Sequence, residues 1–123
     1  MKRIKSGGIF EDKIGYCRAV VADGWVHVSG TVAPGDDISD DVATQCAAAL
    51  SVIEKALTEA GTSFADAVRV TYVVPNPADF EPCWPILSQA FGGNPPAAMM
   101  ISSPLIDAKY KIEIELTAYR AGL

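Results

Sequence analysis

The sequence predicts an α+β fold with the element order β-β-α-β-α-β-β, in which two helices pack on one face of a sheet. Three stretches support this prediction: a two-residue turn between short apolar segments, a helical stripe of apolar residues, and an alternating segment near the end. Strands interrupted by two amphipathic helices are typical of α+β domains. A chain of 123 residues suits one domain, spanning residues 1–123.

The first two strands form a predicted hairpin. The first strand covers residues 16–22, and the second runs from Trp25 to Ser29 and ends at Gly30. Between them lies Asp23-Gly24, a dipeptide typical of a type I′ turn.

The first helix is predicted from Ser39, a candidate N-cap, to a stop at Gly61. Apolar residues recur along it at spacings of three and four, which indicates one buried face. They are Val42, Cys46, Leu50, Ile53, Leu57 and Ala60.

Three further elements follow. A strand is predicted over residues 67–74, with Val68, Val70, Tyr72 and Val74 on one face. A second helix is predicted over residues 79–91, although Pro85 disfavours its first turns. A fourth strand is predicted over residues 97–102.

The last strand is predicted from Tyr110 to Tyr119. Ile112, Ile114, Leu116 and Ala118 alternate there with Lys111, Glu113, Glu115 and Thr117. This period of two indicates one face on the core and one polar face. The polar face meets solvent, a lumen or a neighbouring subunit, and these alternatives stay open at this point.

Composition limits the possible functions. The net charge of −5 disfavours a broad nucleic-acid surface, and His27 is the only histidine, so a multi-histidine zinc site is impossible. No apolar run approaches the length of about 20 residues that a membrane span needs. Three widely spaced cysteines and the absence of a signal peptide favour a cytoplasmic protein with reduced thiols. The remaining candidates for chemistry are Tyr16, Arg18, Glu113 and Glu115.

Several stretches resemble the RidA family, also called YjgF or L-PSP. They are residues 15–20, 25–31, the helix from Gln45 to Gly61, and residues 68–73, 94–97 and 111–115. The resemblance implies a chorismate-mutase-like fold and a homotrimer around a central barrel, with small-molecule clefts between subunits. It also implies hydrolysis of enamines and imines to keto acids and ammonia, without a metal or organic cofactor.

The resemblance also assigns roles to residues. Glu113 and Tyr16 fall on catalytic positions, and Ser29, Gly30 and Trp84 fall on substrate-binding positions. The family's Pro-Ala-Arg motif reads Pro96-Ala97-Ala98 here, so Ala98 stands in place of the carboxylate-binding arginine and Met100 in place of a nearby cysteine. Arg18 shares a strand face with Tyr16 and is the candidate to replace part of that arginine's role.

Three functions stay open from the sequence. The first is an imine or enamine hydrolase that is weak on 2-imino acids, because the arginine is missing. The second is a trimeric metabolite-binding or protein-interaction module without turnover. The third, a ribonuclease or translation inhibitor, is disfavoured by the acidic balance.

Overall fold

The computed structural model describes residues 1–123 and contains one six-stranded sheet. Its strands are β1 (Lys2–Ile4), β2 (Ala19–Ala22), β3 (Trp25–Thr31), β4 (Ala67–Val73), β5 (Ala97–Ile101) and β6 (Glu113–Tyr119). Its α-helices are α1 (Ile9–Ile14), α2 (Val42–Ala60) and α3 (Trp84–Phe91). The α+β class and the predicted order from β2 onward are confirmed, whereas β1 and α1 were not predicted.

The strand order in the sheet is β1-β2-β3-β6-β4-β5. All neighbouring strands are antiparallel except β4 and β5, which are parallel. Parallel neighbours need a crossover connection, and α3 lies in the segment that joins these two strands. The sheet is therefore mixed, with β5 at one edge and β1 at the other.

Helix α2 begins later than predicted. Asp41 is the N-cap residue, because its side chain accepts a hydrogen bond from the Thr44 amide at 2.9 Å. Ser39 instead accepts a hydrogen bond from the Asp41 amide at 3.0 Å. The helix ends as predicted at Gly61, which has φ 88°.

The core lies between the sheet and helices α2 and α3. The predicted apolar stripe of α2 is buried, and so are Ile112, Ile114, Leu116 and Ala118 of the last strand segment. Leu87 and Phe91 bring α3 into the same cluster. On the opposite sheet face, Trp25, Met99, Ile101 and Tyr119 remain about 40–45% exposed.

A bulge in β4 explains one wrong prediction. Ala67 pairs with Ala118 and Arg69 pairs with Thr117. A step of two residues along β4 therefore matches a step of one residue along β6, which is a β-bulge. The extra residue is Val68, which is exposed, although the period of two placed it on the buried face with Val70.

Element boundaries also differ near prolines and beside α2. The segment predicted as one helix over residues 79–91 contains the 3-10 turn Glu81–Cys83 followed by α3, whose first turn contains Pro85. Another 3-10 turn, Pro77–Asp79, precedes it. Strand β6 begins at Glu113, because the Gln45 side chain bonds the backbone of the preceding segment. Its amide donates to Lys109 O at 3.0 Å, and its oxygen accepts from Lys111 N at 2.9 Å.

None of the three helices combines the length and apolarity that a membrane crossing requires.

Candidate functional site

A cavity of about 660 Å³ lies where the end of β3 meets the beginning of β6. Its wall is formed by the segment around α1, by residues 29–36, and by residues near the start of β6. Five of the predicted site residues line it: Tyr16, Arg18, Ser29, Gly30 and Glu113.

Glu113 is half-buried in this wall, and its carboxylate lies against the backbone of Gly30. A Cβ atom at Gly30 would lie only 2.5 Å from Glu113 Oε2, so the glycine makes room for this carboxylate. Gly30 lies within a bulge of β3, between Val28 and Thr31. The local irregularity of β3 therefore determines where Glu113 can sit.

The surroundings of Glu113 make its charged form less favourable than that of an exposed glutamate. Burial raises the pKa of this carboxyl above its ordinary value, and the charge of Glu115 adds to the effect, while the nearby Arg18 opposes it. No hydrogen bond within the chain contributes to the pKa of Glu113. A desolvated carboxylate without a protein donor is available to bind water or a ligand.

Arg18 is buried, and every nitrogen of its guanidinium has a partner within the chain. Nη1 donates to Gly30 O and to Thr31 Oγ1, both at 2.8 Å. Nε donates to Ser6 Oγ at 3.2 Å, and Nη2 donates to Tyr16 Oη at 3.3 Å. The guanidinium thus holds the bulged end of β3 against the N-terminal segment.

The oppositely charged partner of Arg18 is Glu11 of α1, which the sequence reasoning missed. Glu11 Oε2 lies 3.7 Å from Arg18 Nη2, and both side chains are nearly fully buried. Burial alone would raise the pKa of Glu11, but hydrogen bonds from Ser6 and Gly8, together with Arg18, lower it below the ordinary value. The available signal was a glutamate at the third helical position after Gly8, the place of the carboxylate in a capping box.

Tyr16 and Ser29 also make contacts within the chain. The Tyr16 ring lies under the Arg18 guanidinium, 5.4 Å from ring centroid to Cζ. Ser29 Oγ donates to Cys17 O at 2.7 Å and so ties the end of β3 to the residues before β2. Both hydroxyl groups therefore help to build the cavity wall.

The other three predicted site residues lie elsewhere in the chain. Ala98 and Met100 are on β5, which β6 and β4 separate from β3, and Trp84 begins α3 with 53% of its surface exposed. None of the three lines the cavity. A single chain thus brings together five of the eight predicted residues and leaves Trp84, Ala98 and Met100 apart.

No group of three or more His, Cys, Asp or Glu side chains is arranged to hold a metal ion. Cys46 and Cys83 are buried in the core, Cys17 is half-buried, and all three are free thiols.

Comparison with known proteins agrees with this fold. Residues 10–120 match the family described as Endoribonuclease L-PSP. A member of the YjgF/YER057c/UK114 family from Mycobacterium tuberculosis is 37% identical, with a TM-score of 0.88 over 97% of this chain and 98% of that chain. The YjgF gene product of Escherichia coli has the same fold, with a TM-score of 0.85 at 23% identity over 98% of this chain and 99% of that chain.

The human 2-iminobutanoate/2-iminopropanoate deaminase is 29% identical over 112 residues, which are 88% of this chain and 82% of the human protein. The match to the family thus extends over nearly all of the elements described above. The chain belongs to the YjgF/RidA/L-PSP family.

Proposed function

We propose that this chain is a deaminase-like hydrolase of a small imine or enamine, with Glu113 as the group that orients and activates water. The observation that supports it best is the half-buried Glu113 carboxylate, which lines the cavity without a hydrogen-bond donor from the chain. A carboxylate whose pKa is raised is a stronger base than an exposed one, which suits it to accept a proton from water. The relationship to a human imino-acid deaminase supports the same reaction class.

The reaction balances with water as the only other reactant. Glu113 accepts a proton from water while the oxygen bonds to the carbon of the C=N group, which gives a carbinolamine. The carboxyl then returns the proton to nitrogen, and the regenerated carboxylate takes the hydroxyl proton as the C–N bond breaks. A carbonyl compound leaves with ammonia or an amine, which carries that proton away. The chain supplies the base and a partly desolvated cavity for both steps.

The substrate in this proposal lacks an α-carboxylate. By the family resemblance, Ala98 stands in place of the carboxylate-binding arginine. Arg18 has its three nitrogens bonded to chain groups. A carboxylate in this cavity would therefore compete with Glu11 and with the backbone of β3 for the one guanidinium. Hydrolysis of 2-imino acids should be weak for this reason.

The active assembly in this proposal is a homotrimer of the chorismate-mutase-like type. The helix-free sheet face carries Trp25, Met99, Ile101 and Tyr119 partly exposed, which suits burial between subunits around a central barrel. Edge strand β5 and Trp84 of a neighbouring chain would then complete the cleft at Glu113. Light scattering should give three chain masses, and a stable monomer would refute this assembly.

The test of the proposed activity is Glu113→Gln. Imines without a carboxylate are formed in solution from ammonia and small aldehydes or ketones, and their decay is followed above the spontaneous rate. The variant should lose turnover while it still binds the carbonyl product. Glu59→Gln, an exposed change on α2, is the matched control and should retain full activity.

A non-catalytic metabolite-binding module is the alternative. The engagement of Tyr16, Arg18 and Ser29 in contacts within the chain favours it, because only Glu113 among these groups is left to act. Two results together would support this alternative. The unmodified chain would turn over no imine, and Glu113→Gln would bind the small molecule as tightly as the unmodified chain does.

A further inference from the structure

The cavity at Glu113 has an apolar side that the proposed chemistry does not use. Ile9 and Ile14, at the two ends of α1, and Ile106, in the segment before β6, line it and are 57–62% exposed. These three side chains form the apolar wall of the cavity. Large aliphatic groups that lie so exposed around one cavity can be removed from water by an apolar ligand.

The charged groups of the same cavity are mainly acidic. Its lining contains the carboxylates of Asp36, Glu113 and Glu115 and one guanidinium, that of Arg18. The guanidinium is already paired with the buried Glu11. A ligand in this cavity therefore meets an excess of negative charge, which attracts cations and repels carboxylates and phosphates.

We infer that the cavity selects a cationic ligand with an apolar body, and that the substrate is the protonated imine of an aliphatic or aromatic carbonyl compound without an acidic group. The identity of the substrate rests on the proposed function, whereas the preference for a cationic ligand depends on the cavity alone. Protonation makes the C=N carbon more electrophilic, and the carboxylates stabilise the resulting positive charge. The apolar wall then receives the carbon chain beyond the reacting carbon.

The apolar wall is assigned to a ligand because of its position. None of the partly exposed apolar residues on the open sheet face lines the cavity; these are Trp25, Met99, Ile101 and Tyr119. The apolar residues of the open sheet face are available to a second copy, whereas the apolar wall borders a concave space with convergent polar groups. Concave, largely apolar spaces with a few polar groups are the usual form of small-molecule sites.

Binding of stable probes tests the inference without turnover. Hexylammonium, hexanol and hexanoate share one chain length and differ in charge, and butylammonium shortens the chain by two methylenes. Titration calorimetry on the unmodified protein should show hexylammonium at least about tenfold tighter than hexanoate, with the difference reduced at high salt. Each methylene that reaches the apolar wall should tighten binding about fourfold.

Two variants separate the charge from the apolar contact. Glu115→Gln should reduce the preference for hexylammonium over hexanol and leave the chain-length dependence intact. Ile14→Ser should weaken the binding of hexylammonium by about tenfold and that of butylammonium by only about a few fold. Glu59→Gln and Leu123→Ser are the matched controls, since both residues are exposed and lie outside the cavity, and they should change neither preference.

Three outcomes would overturn the inference. These are equal binding of hexanoate and hexylammonium, no dependence on chain length, or a change of oligomeric state rather than of affinity in Ile14→Ser. The proposed function fails separately: if hexylammonium binds as expected and no imine is turned over, the hydrolase is wrong and the binding site stands. If an imine is turned over but hexylammonium binds no tighter than hexanoate, the hydrolase stands and the inference about the ligand is wrong.

Discussion

Removing one member of the buried ion pair between Glu11 and Arg18 should strongly destabilise the chain. Only 3% of Glu11 and 5% of Arg18 is exposed, and the two charges lie 3.7 Å apart at their closest atoms. Glu11→Ala removes one partner and leaves a buried guanidinium without its counter-charge. Breaking a buried pair in this way typically costs about 3–5 kcal/mol.

The same substitution removes the acceptor of three further hydrogen bonds. The Ser6 hydroxyl, the Ser6 amide and the Gly8 amide all donate to the Glu11 carboxylate. Because these bonds form one network with the ion pair, their energies do not simply add to it. We therefore expect a loss of about 3–5 kcal/mol in total, a large fraction of the about 5–15 kcal/mol that stabilises a typical domain.

Urea denaturation followed by circular dichroism, at one fixed chain concentration, measures this loss. The control is Asp12→Ala on the same helix, because Asp12 is exposed and its pair with Lys5 at 3.6 Å is solvated. That control should leave the unfolding free energy nearly unchanged. Glu11→Gln keeps an acceptor oxygen for the N-terminal amides and should lose less than Glu11→Ala.

The pH dependence gives an independent check. The pKa of Glu11 is lowered in the folded state, so its contribution is complete above its ordinary value of 4.5 and disappears as the pH falls below it. The difference between the unmodified chain and Glu11→Gln should therefore shrink in acid. An equal loss in Glu11→Ala and Asp12→Ala, or a difference independent of pH, would refute the role assigned to this pair.

Three further predictions concern the cavity. Glu113→Gln should raise the unfolding free energy at neutral pH, because the raised pKa of Glu113 means that its charged form destabilises the fold. Below pH 4.5 this gain in unfolding free energy should vanish, and a gain that persists there would contradict the prediction. Gly30→Ala should displace the Glu113 carboxylate and lower imine turnover at least tenfold, whereas Gly93→Ala, where an added Cβ meets nothing within 4 Å, should have no effect on turnover. Hydrolysis of 2-imino acids, measured with a coupled dehydratase, should be about 30- to 3,000-fold below that of a family member that has the carboxylate-binding arginine, since an unpaired charge costs about 2–5 kcal/mol. Ala98→Arg should recover part of it, and efficient hydrolysis by the unmodified chain would show that another cation binds the carboxylate.

Local patterns determined the main elements, because periodicity depends only on residues that are neighbours along the chain. The stripe of α2, its stop at Gly61 and the alternation of the last strand could all be read from spacing. The same patterns could not locate the start of β6, since that depends on Gln45, whose side chain bonds the backbone of Lys111 from a distant helix.

The family resemblance selected Glu113, Tyr16, Ser29 and Gly30 for the site, but the tertiary structure decided how they are held. Gly30 and Glu113 meet only because β3 and β6 pair, and the bulge that brings them together has no clear local signal. Arg18 illustrates the difference most clearly. Alternation along one strand suggested a cation available for substrate, whereas the fold surrounds it with Glu11, Ser6, Gly30 and Thr31. A buried guanidinium must find partners wherever the chain supplies them, and these partners come from segments that only folding brings together.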